Sequence, residues 1–350
     1  MSNKKVENKF KKVAVLTSGG DAPGMNAAIR AVVRGAVFYG IDVCGIVRGY
    51  DGLIKGDIIP MDGYSVSNII QRGGTILKSA RSDEFRTKEG RAAAFENIKK
   101  HNIDGIVAIG GNGTFTGAKI FFAEYGVPTV GVPGTIDNDL YGTDFTVGYD
   151  TAVNTALSGI DKIRDTADAH DRIFFVEVMG RDSGYIAIRS AIGGGAELAM
   201  IPETKTSTSY VIEKLKEVSS HSKSSHIIVV AEGDEEGNAQ EIANRVKRAV
   251  PHLDIKVTNL GHIQRGGSPT AADRVLASRL GLGALEGLLE GRSNVMAGVI
   301  NRSLVYTSFE DAIFKKKSYN KELVRMIEIL SGRSYRFRVN DKDRVPYKEE

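Results

Sequence analysis

Residues 12–26 read KVAVLTSGGDAPGMN, and the order of signals within them decides the fold. Lys12–Leu16 is short, β-branched and apolar, as a buried strand is. Thr17–Asn26 (TSGGDAPGMN) is a glycine turn, and Asn26–Tyr39 then places Ala28, Ile29, Val32, Val33, Ala36 and Val37 at helical spacing. The same unit recurs at Gly105–Ile109 (GIVAI), which ends in GGNGT before a helix over Phe115–Tyr125. Thr129–Val132 runs into PGTIDNDLYG, and Thr151–Arg164 is again helical. Ile173–Met179, Ile227–Ala231 and Ile255–Asn259 are further strands separated by helices. This alternation predicts an α/β protein with mostly parallel sheets covered on both faces. The motif-bearing turns fall into two groups, so two such units are expected, with a boundary near Gly148.

The bulk numbers agree. A chain of 350 residues suggests about two domains. Its 47 Lys+Arg against 43 Asp+Glu leave a net charge of +4, too small for a polycation. There is no Trp and no basic stripe interleaved with aromatics, so a nucleic-acid partner is not expected. Cys44 is the one cysteine, which excludes a disulfide framework; its apolar run, IDVCGIV, makes it a core residue rather than a nucleophile. No apolar run reaches the roughly 18 residues of a membrane span, and MSNKKVENKFKK lacks the apolar core of a signal peptide, so a cytoplasmic address is expected. Glycine is the outlier, with 40 residues, many in paired turns.

Glycines at strand ends let backbone N–H groups approach an anion, and the helix that follows adds positive partial charge. TSGGDAPGMN is not the dinucleotide fingerprint G-x-G-x-x-G, and without any Gly-Lys dipeptide there is no Walker A loop. Two such turns in one sheet mark the crevice where open α/β sheets take ligands, although each alone is equally a structural turn. In Pro133–Asp139 (PGTIDND), Asp137 and Asp139 are either a solvated acidic turn or a base beside a metal ligand. Arg81 in SARSDEF, Arg181 in VMGRDSG and Arg265 in GHIQRGGSP sit among small residues, where a guanidinium suits a phosphate. His262 alone would read as a structural histidine.

Taken together, TSGGDAPGMN, GGNGT, PGTIDND, VEVMGR and GHIQRGGSP resemble, in order and spacing, the phosphofructokinase family over roughly residues 11–330. The resemblance implies two Rossmann-like three-layer α/β/α domains with the active site in the cleft between them. It places the larger, ATP-binding domain at 11–148 plus roughly 264–312, and the smaller, sugar-phosphate domain at 149–263 plus roughly 313–332, leaving 1–10 and 333–350 as terminal extensions. It implies transfer of the γ-phosphoryl group of ATP to the 1-hydroxyl of fructose 6-phosphate, in glycolysis, with Mg²⁺. Asp137 is then the base, with Thr135 beside it. Arg181 neutralises the moving phosphoryl, Arg81 bridges the two substrates' phosphates, and the Gly20 N–H holds the γ-phosphate. Tyr50, Arg86, Gly111, Asn112, Gly113, Thr114 and Gly117 fall at nucleotide positions. Met179, Gly180, Glu232, His262 and Arg265 fall around the sugar phosphate, and Arg172 and Lys256 reach it from a neighbouring subunit of a homotetramer.

Gly113 and Gly134 stand where pyrophosphate-using relatives carry an acid and a lysine, which favours ATP. Two departures stand out. Asn112 replaces an aspartate near Mg²⁺, leaving Asp139 as the main metal ligand and Asn112 a weak one. Lys256 replaces an arginine, trading a bidentate fork for a point charge, so weaker sugar-phosphate affinity is expected. Arg30, Arg34, Arg164, Lys223 and Glu197 match an effector site for ADP or phosphoenolpyruvate, while Asp57 and His221 stand where basic residues are common. An exposed helix face is the alternative for Arg30 and Arg34. Two other functions remain open: a regulatory subunit that binds without turning over, and a pyrophosphate-dependent enzyme.

Overall fold

The computed structural model describes residues 10–204, 206–218 and 225–331. From the amino end the elements are β1 (Lys12–Thr17), α1 (Met25–Phe38), β2 (Asp42–Ile46), α2 (Gly49–Lys55), β3 (Ile58–Met61), α3 (Lys88–Lys100), β4 (Gly105–Gly110), α4 (Asn112–Tyr125) and β5 (Thr129–Pro133). They continue with α5 (Tyr149–Asp168), β6 (Ile173–Val178), α6 (Tyr185–Gly193), β7 (Leu198–Met200), α7 (Thr208–Val218), β8 (His226–Ala231), α8 (Ala239–Ala249) and β9 (Ile255–Asn259). Last come α9 (Ala271–Leu289), β10 (Val295–Ile300), β11 (Ser303–Ser308), α10 (Phe309–Phe314) and α11 (Lys321–Leu330).

These strands make a seven-stranded sheet in the order β11-β10-β5-β4-β1-β2-β3 and a four-stranded sheet in the order β7-β8-β6-β9. Pairing is parallel except at two edges, β2–β3 and β10–β11. β1, β4 and β5 are buried almost throughout, as strands covered on both faces must be. Each sheet has a switch point where the chain reverses its direction of winding: between β1 and β4 in the first, and at β6, between β8 and β9, in the second. Crevices open at the carboxyl ends of strands at such points.

The first sheet is closed by the C-terminal part of the chain, because α9 packs on α1 and α10 packs on α4. Phe115 of α4 stacks on Phe309 of α10 at 5.0 Å between ring centroids. The Asp273 carboxylate, buried in the first turn of α9, accepts the Gly148 N–H (2.9 Å), the Thr151 N–H (2.8 Å) and the Thr151 hydroxyl (2.5 Å). One carboxylate thus ties the start of α5 to the start of α9, where negative charge suits both helix dipoles.

Several expected boundaries move. The second helix starts at Asn112 rather than Phe115, and the third runs Tyr149–Asp168 rather than Thr151–Arg164. Val37, read with the apolar residues at helical spacing, is 51% exposed and lies at the margin of the buried stripe that ends at Ala36. Cys44 is buried as expected, and burial pushes its thiol up to about 11. Among the described residues no helix is long and apolar enough to cross a membrane.

Candidate active site

Six strand ends supply the site. At the end of β1, Gly19 adopts φ +85°, which favours glycine, and its carbonyl accepts the Ser79 hydroxyl at 2.6 Å. At the end of β4, Gly111 is the N-cap of α4 and offers no side-chain cap. The first N–H groups of α4, at Asn112 and Gly113, therefore face outward as an anion-binding end, while the Thr114 N–H donates to Gly111 O at 3.0 Å. The Thr114 hydroxyl donates to Ser18 O at 3.0 Å, locking the two glycine turns together. Tyr50 and Gly117 form the wall behind them. The Tyr50 hydroxyl donates to Thr114 O at 2.7 Å, and its ring stacks on Phe85 at 4.0 Å and lies against Gly117. Arg81 and Arg86 are exposed on the neighbouring loop and its 3₁₀ turn, Glu84–Arg86.

The loop after β5 carries the carboxylates. Thr135 Oγ1 accepts the Asp137 N–H at 3.2 Å, and Asn138 is held at φ +53° between Asp137 and Asp139. Asp137 is 5% exposed, and its Oδ2 lies 3.9 Å from Arg181 Nε. Burial raises the Asp137 pKa, while the charges of Arg265 and Arg181 and the Thr135 hydroxyl pull it back down. Asp139 is raised by burial and then by the charge of Asp137. Its Oδ2 accepts the Asn112 amide at 2.8 Å. Asn112 Oδ1 and Asp137 Oδ1 are buried and find no hydrogen-bond partner among the described residues. Oxygens of this kind are what a hard dication requires, so Asp139 with Asn112 fits Mg²⁺, with an amide oxygen where a second carboxylate would bind more strongly.

The second sheet presents side chains across the cleft. The Glu232 carboxylate accepts the backbone N–H of Gly180 (3.2 Å) and Arg181 (2.8 Å), shaping a turn in which Arg181 sits at φ +52°. Met179 N–H donates to Gln264 Oε1 at 3.3 Å, in the 3₁₀ turn Gly261–Arg265 that also carries exposed His262. Arg265 reaches over to the first sheet: Nη1 donates to Asp21 O at 3.2 Å and lies 2.7 Å from where a Gly20 side chain would begin.

Arg172 and Lys256 are not brought to this cleft. Both lie at the opposite, amino-terminal edge of the second sheet, where they pair with Asp254 at 2.8 and 2.9 Å. Six residues of β6 separate that edge from Met179, about 20 Å. The effector candidates scatter more. Arg30 and Arg34 lie a turn apart on α1, and burial and then the Arg34 charge lower the Arg30 pKa. Arg164 donates to the carbonyls of Gly194 and Gly195. Glu197 accepts the Ile227 N–H and faces His226 at 3.4 Å. Lys223 and His221 lie outside the described residues. Two contributors went unread in the sequence, Ser183 and Gln264, although both sit inside motifs that drew attention. The single Ser183 hydroxyl proton is shared between Asp137 O and Gly180 O, each 2.8 Å from Oγ, joining the two halves of the site.

Glycine turns facing a buried carboxylate flanked by guanidinium groups are the equipment of an α/β phosphotransferase. A family model described as Phosphofructokinase matches residues 12–288. A Cytophaga hutchinsonii protein named ATP-dependent 6-phosphofructokinase is 65% identical over 327 residues, 93% of this chain and 100% of that one. A Thermus thermophilus protein named ATP-dependent 6-phosphofructokinase 1 is 53% identical over 322 residues, 92% and 100% of the two chains. The solved structure of phosphofructokinase from Saccharomyces cerevisiae superposes with a TM-score of 0.82 at 36% identity, over 87% of this chain and 45% of that one. A pyrophosphate-dependent phosphofructokinase from Nitrosospira multiformis, TM-score 0.81 at 19% identity over 97% of this chain and 94% of its own, shares the fold. The chain belongs to the phosphofructokinase family.

Proposed function

We infer that this chain is an ATP-dependent 6-phosphofructokinase, moving the γ-phosphoryl group of ATP to the 1-hydroxyl of fructose 6-phosphate in glycolysis. The observation that carries the reading is Asp137, a buried carboxylate with a lone oxygen, set between Arg181, Arg265 and the two glycine turns. Relatives at 65% and 53% identity bearing that activity in their names support it over a silent regulatory subunit or a pyrophosphate-dependent enzyme. A side chain begun at Gly134 would meet Ile109 and Met25 at 3.0 Å, so Ile109 and Met25 pack closely on this glycine.

In the proposed mechanism the Asp137 carboxylate accepts the proton of the attacking hydroxyl, its basicity raised by burial. Thr135 orients its loop. Arg181 offsets the charge on the transferring group, Arg265 meets the sugar phosphate, Arg81 spans the two phosphates, and the N–H groups of Gly20 and of residues 111–113, backed by Thr114, cradle the nucleotide. Tyr50, Arg86 and Gly117 complete the nucleotide side; Met179, Gly180, Glu232 and His262 bind the sugar phosphate. Asp139 and Asn112 would hold Mg²⁺, which supplies charge neutralisation on the phosphate oxygens.

Arg172 and Lys256, a strand's length from their own cleft, serve the 6-phosphate of a neighbouring subunit, which calls for an oligomer, in our reading a homotetramer. Arg30, Arg34, Arg164, Glu197 and Lys223 are proposed as an ADP or phosphoenolpyruvate site, in which an anion relieves the repulsion between Arg30 and Arg34. Sheet membership supports domains of 11–148 with about 264–312, and 149–263 with about 313–332. A cytoplasmic location fits these substrates.

The test is turnover of purified protein with fructose 6-phosphate, Mg²⁺ and either ATP or pyrophosphate. ATP-dependent formation of the bisphosphate is expected. Silence with ATP while fructose 6-phosphate still raises Tm would instead identify a binding subunit.

A further inference from the structure

Lys317 lies in the connection between α10 and α11, outside every motif that drew attention in the sequence. The residue is half-buried, and its ammonium group donates to Asn138 Oδ1 at 3.0 Å and to Asp144 O at 2.8 Å. Both acceptors are neutral, and the charges of the nearby Asp144 and Asp139 only partly offset the desolvation of this cation. A methionine of similar volume would fit such a place at lower cost. What the cation contacts explains why it is there. Asn138 stands between Asp137 and Asp139 in the left-handed region, and its Oδ1 also accepts the Thr146 N–H at 3.0 Å. The carbonyl of Lys317 accepts the Tyr185 hydroxyl at 2.8 Å. Tyr185 opens α6, directly after the turn that carries Arg181. One residue therefore grips the carboxylate loop with its side chain and the Arg181 segment with its backbone.

We propose that Lys317 is a positioning residue for phosphoryl transfer, fixing the Asp137–Asp139 loop against the Arg181 turn through Asn138 and Tyr185. The proposal rests on the kinase reading above, and the two fail differently: an inactive parent protein sinks the reading, whereas an active parent insensitive at residue 317 sinks only this inference. Misplacing reacting groups by about 1 Å costs on the order of 100-fold in rate.

Lys317→Met in the full chain is expected to lower kcat about 10- to 100-fold, with KM for ATP within about twofold of the parent. Lys317→Arg, whose guanidinium reaches the same acceptors, should restore several-fold of that loss. Asn138→Gly keeps the backbone conformation and removes the acceptor, so Lys317→Met should cost much less in that background. A kcat within about twofold of the parent in Lys317→Met overturns the proposal, whatever happens to Tm, as does full additivity with Asn138→Gly. Should Lys317→Met not fold, Tyr185→Phe removes only the second tie; it should lower kcat about threefold or more with both KM values held, and an unchanged kcat there also overturns the proposal.

Discussion

At the ends of β1 and β4 the cleft is lined by main chain: Gly19, Gly20, Gly111 and the uncapped start of α4. At the ends of β6, β8 and β9 it is lined by side chains: Arg181, Glu232, His262 and Arg265. The first half is finished within one chain and depends on the absence of Cβ atoms. The second half depends on long charged groups, and two of its expected members, Arg172 and Lys256, face away from it. A backbone site is rigid and generic toward phosphate, while a side-chain site is adjustable and can be shared between subunits.

The sharpest way to break this division is at the carboxylate between the halves. Asp137→Asn should lower kcat about 10²- to 10⁴-fold, while a rise in Tm with fructose 6-phosphate shows that binding survives. Asn112→Asp comes next. It sets a carboxylate against Asp139 where an amide now donates, so Tm in chelator should drop, while the Mg²⁺ concentration for half-maximal activity falls about tenfold or more. Gly20→Ala probes the seam. Its methyl meets the flexible end of Arg265, which yields, so KM for fructose 6-phosphate should rise about tenfold with Tm nearly constant. At Gly110 an added methyl meets the fixed Ser18 carbonyl at 2.5 Å, and that variant should lose about 1–3 kcal/mol of stability instead.

A smaller effect lies in the pH profile. Burial favours protonated Asp137, so the acid limb of kcat/KM should fall above the ordinary aspartate value of about 3.9. Arg265→Gln removes a charge that favours the carboxylate and should move that limb further up. The smallest change is expected from Lys256→Arg, which should lower KM for fructose 6-phosphate about two- to threefold by restoring a bidentate contact.

The backbone half was the legible one. Strand, GG turn and helix announce themselves locally, so TSGGDAPGMN and GGNGT could be placed before any coordinates. Arg81, Arg181 and Arg265 stood out as cations among small residues, but not which sheet each would face. That Arg265 would lie on Gly20 depends on a contact spanning more than 240 residues. Lys317 was invisible for a related reason: it follows two other lysines in FKKKSYN, a run that reads as solvated surface. Folding half-buries it, and the desolvation pushes its pKa down to about 8. Helix boundaries slipped at Asn112 and Tyr149 because glycine precedes each helix where Ser, Thr, Asp or Asn usually signals the start. By contrast α3, α8, α9, α10 and α11 are capped by Thr87, Asn238, Thr270, Ser308 and Asn320.

The last two strands of the larger sheet, β10 and β11, arrive after the whole of the smaller one. During synthesis the ribosome must release Ser308 before the first sheet has its final edge, whereas the second has all its strands once Asn259 has emerged. The nascent chain thus carries an unfinished β5 edge from Pro133 to Ser308, which at roughly 5–20 residues per second is on the order of ten seconds or more. Exposed strand edges are templates for mispairing, and this one stays open until the C-terminal hairpin closes it.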